Sequence, residues 1–238
     1  MIGVIGGMGP LATADFLNKV IEEARVEDDE GHVPLLISCD PRIPKRPAAI
    51  LAGGESPLPR LIEIRDRLLG AGATALVMPC NTAHHWYPAL TVDCPVPFLS
   101  MVDTGCVEAA RRSADGAAVA VLGTRATLAT GMFDLALARL GRLPVRPTDD
   151  ELDRLLLPAI AAVKAGRLVQ AGAWLTEALD ALVRRGVGHV VLACTELPVA
   201  LPSVPTALSG LCIDNNRVLA RATVALWHSL TRPPGGAP

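Results

Sequence analysis

The sequence is poor in aromatic residues and has no long apolar run, and each shortage excludes a class of protein. Phe, Trp and Tyr make up 3% of the 238 residues, whereas half of the chain is apolar. Ala, Val and Leu must therefore build the core, as in a compact α/β enzyme. The net charge is −2 and no basic stripe with interleaved aromatics is present, so we expect no nucleic-acid partner. No stretch reaches about 18 uninterrupted apolar residues and no basic leader opens the chain, so we expect no membrane partner and a cytoplasmic location.

Cofactor and metal motifs are also missing. The chain has six cysteines but no Cys-x-x-Cys pair, and its histidines do not cluster with them as zinc ligands would, so we expect reduced thiols and no metal. The glycine-rich turn at residues 3–9 lacks the spacing of a dinucleotide fingerprint, and no phosphate-binding P-loop is present, so we expect no cofactor. We expect instead that the backbone N–H groups of this turn face an anion at the start of the following helix.

An internal repeat is the most informative feature that the chain does contain. At an offset of 114 residues, segments 71–83 and 185–197 match at one glycine, one valine and one cysteine, Cys80 in the first and Cys194 in the second. A second match, between GVIGG at 3–7 and AVLGT at 120–124, has an offset of 117. The chain is therefore predicted to contain two related halves.

The order of the predicted elements is similar in both halves. Strand patterns alternate with helical patterns and short loops, which predicts mainly parallel sheets flanked by helices. We predict an α/β protein of two pseudo-symmetric lobes with the active site between them. The predicted boundaries are residues 1–98 with 211–229 for the first lobe, 99–210 for the second, and 230–238 for a disordered tail.

Each half places one cysteine just beyond a predicted strand. Cys80 follows the strand predicted at 75–79, and Cys194 follows the one at 189–193. Ligands of parallel sheets bind outside the carboxyl ends of the strands, so both thiols should face one cleft. The positive end of the next helix should lower the pKa of each thiol. For the other four cysteines we favour inert packing: Cys39, Cys94, Cys106 and Cys212.

Polar neighbours of the two cysteines suit a carboxylate ligand. Asn81, Thr82 and Thr195 can donate hydrogen bonds to it. His84 and Glu196 either tune the thiols and relay protons or serve as capping and surface residues, and the sequence leaves both roles open.

Two cations complete the candidate site. Arg46 follows a stiff proline-rich segment, and Lys164 lies in an otherwise apolar helical stretch. A guanidinium binds a carboxylate through two N–H groups and a lysine adds a point charge, although either side chain could instead be solvated.

Taken together, these motifs resemble the cofactor-independent aspartate/glutamate racemase family, and within it the aspartate racemase branch. The likeness runs from Met1 to about Leu226 and rests on IGVIGGMGPLATADF, DPRIPKRPAAIL, GGESPLP, PCNTAH, KAG and ACTELP. It implies two α/β lobes with a small acidic amino acid between them, no cofactor, and a homodimer. It also implies that Cys80 and Cys194 are the acid/base thiols. The substrate-binding residues that it implies are Met8, Arg46, Asn81, Thr82, Ala83, Thr124, Thr127, Lys164, Thr195 and Glu196.

Racemisation suits two thiols, because one base must remove the α-proton and a second group must return a proton to the other face. By the resemblance, Cys194 deprotonates the L-substrate and Cys80 the D-substrate. We expect aspartate as the substrate, with glutamate or a broader acidic set as the alternative. A related isomerase or lyase with a single nucleophilic cysteine, and a non-catalytic dicarboxylate-binding protein, remain alternatives.

Overall fold

Two parallel β-sheets form the framework of the protein, as seen in a computed structural model that describes residues 1–232. In chain order the strands are β1 (Ile2–Gly6), β2 (Leu35–Cys39), β3 (Ala75–Val77), β4 (Ala118–Gly123), β5 (Leu143–Val145), β6 (His189–Ala193) and β7 (Cys212–Asp214). The first sheet has the order β2-β1-β3 and the second the order β5-β4-β6-β7. Every named strand pair is parallel, which confirms the predicted α/β class.

Helices connect and cover these strands, and several begin with proline in the first turn, where its missing N–H would have no intrahelical acceptor. They are α1 (Pro10–Ala24), α2 (Arg46–Ala52), α3 (Leu58–Gly70), α4 (Tyr87–Thr91), α5 (Met101–Arg112), α6 (Arg125–Ala129), α7 (Met132–Arg139), α8 (Asp149–Glu151), α9 (Leu157–Lys164), α10 (Leu168–Arg184), α11 (Leu197–Ala200), α12 (Thr206–Ser209) and α13 (Asn215–Thr231). A π-helical stretch, Leu152–Leu156, joins α8 to α9, and short 3₁₀ helices cover Asp29–Gly31, Thr82–Trp86 and Leu201–Ser203.

The two sheets repeat one arrangement. In each half the first strand is central and the next two flank it, as β2-β1-β3 and as β5-β4-β6. The helix before the third strand also ends in the same way, with a glycine of positive φ: 91° at Gly72 after α3 and 78° at Gly186 after α10. The matching strand order and helix ends agree with the repeat read from the sequence.

Alternating side chains bury both faces of the first sheet. Ile5 and Leu76 pack with α3 on one face, whereas Val4 and Val77 pack with α1 and α13 on the other, with Phe16 at the centre. The strands of the second sheet form a separate core with α5, α7, α9 and α10. Burial of one such aliphatic side chain stabilises the folded state by about 1.5–3 kcal/mol relative to its exposure. The helices that cover each sheet therefore stabilise it by burying these side chains.

The last segment of the chain divides between the two sheets, unlike the predicted boundary. β7 pairs with β6 and so belongs to the second sheet, whereas α13 packs on α1 of the first. The expectation that residues 211–229 lie wholly in the first lobe is therefore wrong for the strand. Residues 230 and 231 are helical rather than disordered, and the rest of the predicted tail, from 233 onward, lies outside the described residues.

Further details concern the helices and the strand β5 of the second half. α6 and α7 are two separate helices, because Gly131 between them adopts a positive φ of 66°. Neither α5 nor β5 was predicted. Within residues 1–232, no helix combines the length and apolar character needed to cross a membrane.

Candidate active site

A cavity of about 280 Å³ lies where the carboxyl ends of strands from the two sheets meet. Its walls come from the loops after β1, β3, β4 and β6, the position at which parallel sheets bind ligands, together with the start of α2 and the end of α9. The lining residues are Met8, Lys45, Arg46, Pro47, Ala48, Cys80, Asn81, Thr82, Thr124, Lys164, Cys194, Thr195 and Glu196.

The cavity brings together both predicted thiols and all predicted substrate-binding residues except Ala83 and Thr127. Those two are buried behind its wall. Three lining residues were not predicted, namely Lys45, Pro47 and Ala48, which line the cavity because α2 begins there and presents its first turn. Their adjacency to Arg46 was the available signal.

Cys80 lies beside positive charge. Its sulfur is close to the Arg46 guanidinium and to the backbone N–H of Ala83. Arg46 is held in place because its Nη1 donates to the carbonyl oxygens of Ile43 (3.1 Å) and Pro44 (3.0 Å). Burial raises the pKa of the Cys80 thiol, the cation and the N–H group oppose that rise, and the Glu196 carboxylate adds to it.

Cys194 lies beside negative charge. Its thiol donates a hydrogen bond to Oε2 of Glu196 at 3.0 Å, and Oε1 of the same carboxylate pairs with Nζ of Lys164 at 3.4 Å. Burial and then the Glu196 carboxylate raise the pKa of Cys194 well above its usual range. Glu196 is therefore positioned to accept the proton of this thiol.

The expectation that both thiols have a lowered pKa is wrong. Cys80 and Cys194 are 5% and 6% exposed, and loss of solvation is the largest influence on each. The helices that follow them are one 3₁₀ turn, Thr82–Trp86, and the four-residue α11. Such short helices sum few peptide dipoles, so burial outweighs them.

A chain of threonine hydroxyls links the two halves across the cavity wall. Oγ1 of Thr127 lies 2.7 Å from that of Thr82 and 2.9 Å from that of Thr124. Thr124 also caps α6 by accepting from the N–H of Thr127 at 3.2 Å. Thr127 thus holds in place two hydroxyls that do line the cavity.

His84 has a structural role. The backbone N–H of Met101 donates to its Nε2 at 2.9 Å, which leaves the proton on Nδ1 to donate to the carbonyl oxygen of Cys80, also at 2.9 Å. Burial lowers its pKa to about 4, so the ring is neutral. Because both ring nitrogens are occupied, His84 supports the Cys80 loop and does not relay protons.

The glycine turn after β1 differs from the expected anion site. The N–H of Gly7 donates to Oγ1 of Thr13 at 2.9 Å, so it does not face the cavity. Gly7 has a φ of 92°, and a Cβ there would lie 2.4 Å from the backbone of Asp40. The turn therefore needs glycine for close packing, and it contributes Met8 to the wall.

The charges that line the cavity favour an anionic ligand. Lys45, Arg46 and Lys164 are cationic and Glu196 is anionic, an excess of two positive charges when both thiols are protonated. Such an excess in a partly enclosed site attracts an anion with two carboxylates, such as an acidic amino acid, whose ammonium group leaves it a net charge of −1. Among the described residues, no group of three or more His, Cys, Asp or Glu side chains has an arrangement that could hold a metal ion.

Comparison with known proteins gives consistent results. Residues 5–223 match the family model for Asp/Glu/Hydantoin racemase. The structure is similar to that of Picrophilus torridus aspartate racemase, with a TM-score of 0.82 and 29% identity over 95% of this chain and 93% of that one. It is also similar to an aspartate racemase homologue from Pyrococcus horikoshii OT3, with a TM-score of 0.76 and 26% identity over 95% and 98% of the two chains. The broad specificity amino-acid racemase RacX of Bacillus subtilis is 25% identical over 95% of this chain and 98% of its own length.

Proposed function

Because the chain belongs to the Asp/Glu/hydantoin racemase family, we propose that it interconverts the L- and D-enantiomers of an acidic amino acid, aspartate foremost, without a cofactor. The observation that carries this proposal is that Cys80 and Cys194, one from each half, line the same cavity. Two acid/base groups from separate lobes can act on opposite faces of one α-carbon.

The choice of an acidic substrate rests on charge and on the relatives. Arg46 and Lys164 offer a cationic side of the cavity for a distal carboxylate, and Lys45 adds to it. The similarity to an aspartate racemase supports aspartate. The similarity to a broad specificity amino-acid racemase supports a wider substrate range, and the cationic residues of the cavity favour glutamate or a broader acidic set as the alternative.

In the proposed mechanism the two thiols alternate between base and acid. Burial raises the pKa of both thiols, but Cys80, beside Arg46 and the N–H of Ala83, is better placed than Cys194, which is bonded to Glu196, to become the thiolate. With that distribution, Cys80 removes the α-proton of the D-substrate and Cys194 delivers a proton to the other face. That turnover leaves Cys80 as the thiol and Cys194 as the thiolate, which is the form that the L-substrate requires. Glu196 is the adjacent group that can exchange a proton with Cys194 between turnovers.

The carbanion that forms needs stabilisation where its charge develops, on the α-carboxylate. Asn81, Thr82 and Thr195 supply donors next to the two cysteines, and the hydroxyl chain and the buried loops hold them before substrate arrives. Donors fixed in advance in a site that excludes water stabilise a transition state more than mobile ones, because little reorganisation is required.

Exchange of the α-proton in deuterium oxide tests the proposal. The protein is incubated with L- or D-aspartate and with L- or D-glutamate, without added cofactor, and the α-proton signal is followed by NMR together with chiral chromatography. We expect deuterium incorporation and a racemic product, and we expect Cys80→Ala and Cys194→Ala each to slow racemisation by about 10³-fold or more.

Controls separate the alternatives. Cys39→Ala, an exposed cysteine on β2 outside the cavity, should leave the rate unchanged. Unchanged racemisation in either cavity variant would refute the two-thiol mechanism. Tight binding of aspartate without exchange would instead identify a dicarboxylate-binding protein. The homodimer remains a prediction, which sedimentation analysis would check.

A further inference from the structure

The first residue of α13, Asn215, contacts the cavity wall from behind. We propose that Asn215 is a positioning residue that orients the Asn81 carboxamide so that its N–H₂ group, rather than its oxygen, faces the carboxylate of the substrate. The inference rests on the proposed function, since it assigns a role in binding the same acidic substrate. Neither the repeat nor any motif pointed to Asn215.

The contact joins the two sheets. Asn81 follows β3 of the first sheet and is 3% exposed, next to Cys80 in the cavity wall. Asn215 follows β7 of the second sheet and is fully buried. Nδ2 of Asn215 donates to Oδ1 of Asn81 at 2.6 Å. The orientation of the Asn81 amide is thus set by a residue 134 positions away in the sequence.

This hydrogen bond decides which polar atom of Asn81 remains available. Its oxygen is occupied by Asn215, whereas its Nδ2 is buried and has no partner within residues 1–232. An ionised carboxylate can only accept hydrogen bonds, so it needs a donor in the wall. A buried donor left without a partner is unfavourable, and a bound carboxylate would satisfy it.

The contacts of Asn215 also fix the orientation of its own carboxamide. Oδ1 of Asn215 packs against Gly105 of α5 so closely that a Cβ at that position would lie 1.7 Å from it. The Cα–H groups of Gly105 can donate weakly but cannot accept, so they suit the oxygen of Asn215 and not its N–H₂ group. Gly105 thereby keeps Nδ2 of Asn215 directed at Asn81.

A double-mutant cycle tests the inference, because a residue that acts only through Asn81 has no effect once Asn81 is removed. The variants are Asn81→Ala, Asn215→Ala and the double variant, assayed for KM and kcat with L-aspartate. We expect Asn215→Ala to raise KM about tenfold, the loss of one charge-assisted hydrogen bond, with kcat within about threefold. The double variant should have the KM of Asn81→Ala alone.

Asn216→Ala is the matched control. Asn216 is the next residue of α13 and is equally buried, but its Nδ2 donates to the carbonyl oxygen of Ala12 (3.2 Å) and to Asp15 (2.6 Å), away from the cavity. It should lower the melting temperature as Asn215→Ala does without raising KM. If Asn215→Ala does not fold, Asn215→Ser replaces it in the cycle.

Two results would overturn the inference. One is a KM for Asn215→Ala no higher than that of Asn216→Ala. The other is a KM for the double variant that equals the product of the two single fold-increases. A wild-type protein that exchanges no α-proton would refute the proposed function instead. In that case the Kd of L-aspartate is measured by calorimetry for the same variants. Non-additive changes in binding free energy would support the role of Asn215, and additive changes would contradict it.

Discussion

The two halves of the chain repeat the backbone around their cysteines, but the charge with the strongest influence is positive at Cys80 and negative at Cys194. Cys80 lies beside the Arg46 guanidinium, whereas Cys194 donates to the Glu196 carboxylate. A two-base racemase requires one thiolate and one thiol at the same time. Duplication can supply two thiols in equivalent places, and the divergence of their neighbours can make the two chemically different.

The divergence has a simple origin in the chain. Two positions after the cysteine, the first half has Thr82 and the second has Glu196. Arg46 comes from α2, in a segment outside the matched repeats. One acidic side chain within the repeat and one basic side chain outside it therefore give the strongest charge influences that distinguish the two thiols.

Replacement of Arg46 should give the largest effect among the neighbours of the thiols. Arg46→Met removes the cation beside Cys80 and one group for the distal carboxylate, and we expect kcat/KM to fall by about 10²–10³-fold. Without the cation the pKa of Cys80 rises further, so the rise of kcat/KM with pH should move to higher pH. Measurement of kcat/KM against pH for both enantiomers checks this.

The conservative variant Arg46→Lys sharpens that result. It keeps the positive charge but loses the planar fork, so it should retain the pH profile while KM stays high. A pH profile of Arg46→Met that matches the wild type would contradict the view that Arg46 supports the Cys80 thiolate.

Replacement of Glu196 tests the opposite half and should act in the opposite direction. Glu196→Gln removes a carboxylate that raises the pKa of Cys194, so the pKa falls and the thiolate forms at lower pH. We expect the alkaline rise of kcat/KM to move to lower pH, while kcat falls about tenfold because the proton acceptor is lost. Glu177→Gln, on the exposed side of α10, is the control. A rise of kcat/KM at higher pH than in the wild type would contradict the view that Glu196 raises the pKa of Cys194.

The hydroxyl chain should give a smaller effect, because it acts on position and not on charge. Thr127→Val removes the link between Thr82 of one half and Thr124 of the other. We expect KM to rise about three- to tenfold, the range of one neutral hydrogen bond, with kcat nearly unchanged. Thr130→Val is the control, since its hydroxyl bonds only the carbonyl oxygen of Thr127 and the N–H of Met132. Equal KM values in the two variants would exclude a positioning role for Thr127.

Local patterns predicted most of the strands, the α/β class and most of the residues that line the cavity, because cysteines and glycines at strand ends mark the ligand edge of a parallel sheet. Four features were not predicted, for physical reasons. The pairing of β7 with β6 and the contact of Asn215 with Asn81 depend on distant parts of the chain. The direction of the pKa shift of each thiol depends on burial, which cannot be predicted from a local motif. α5 escaped because its polar residues and Gly105 obscure a helix that is stabilised mainly by packing.

The smallest expected effect tests the duplication in the backbone alone. Gly72 and Gly186 end equivalent helices with positive φ, and each donates its N–H to the carbonyl three residues before, Leu69 at 2.9 Å and Val183 at 2.9 Å. A Cβ would meet nothing within 4 Å at either position, so substitution by alanine costs only backbone strain. Gly72→Ala and Gly186→Ala should each lower the free energy of unfolding by about 1–2 kcal/mol, and by the same amount, with catalysis unchanged. Denaturant unfolding measures both, and clearly unequal losses would mean that the halves have diverged in their framework as well as in the charges around their thiols.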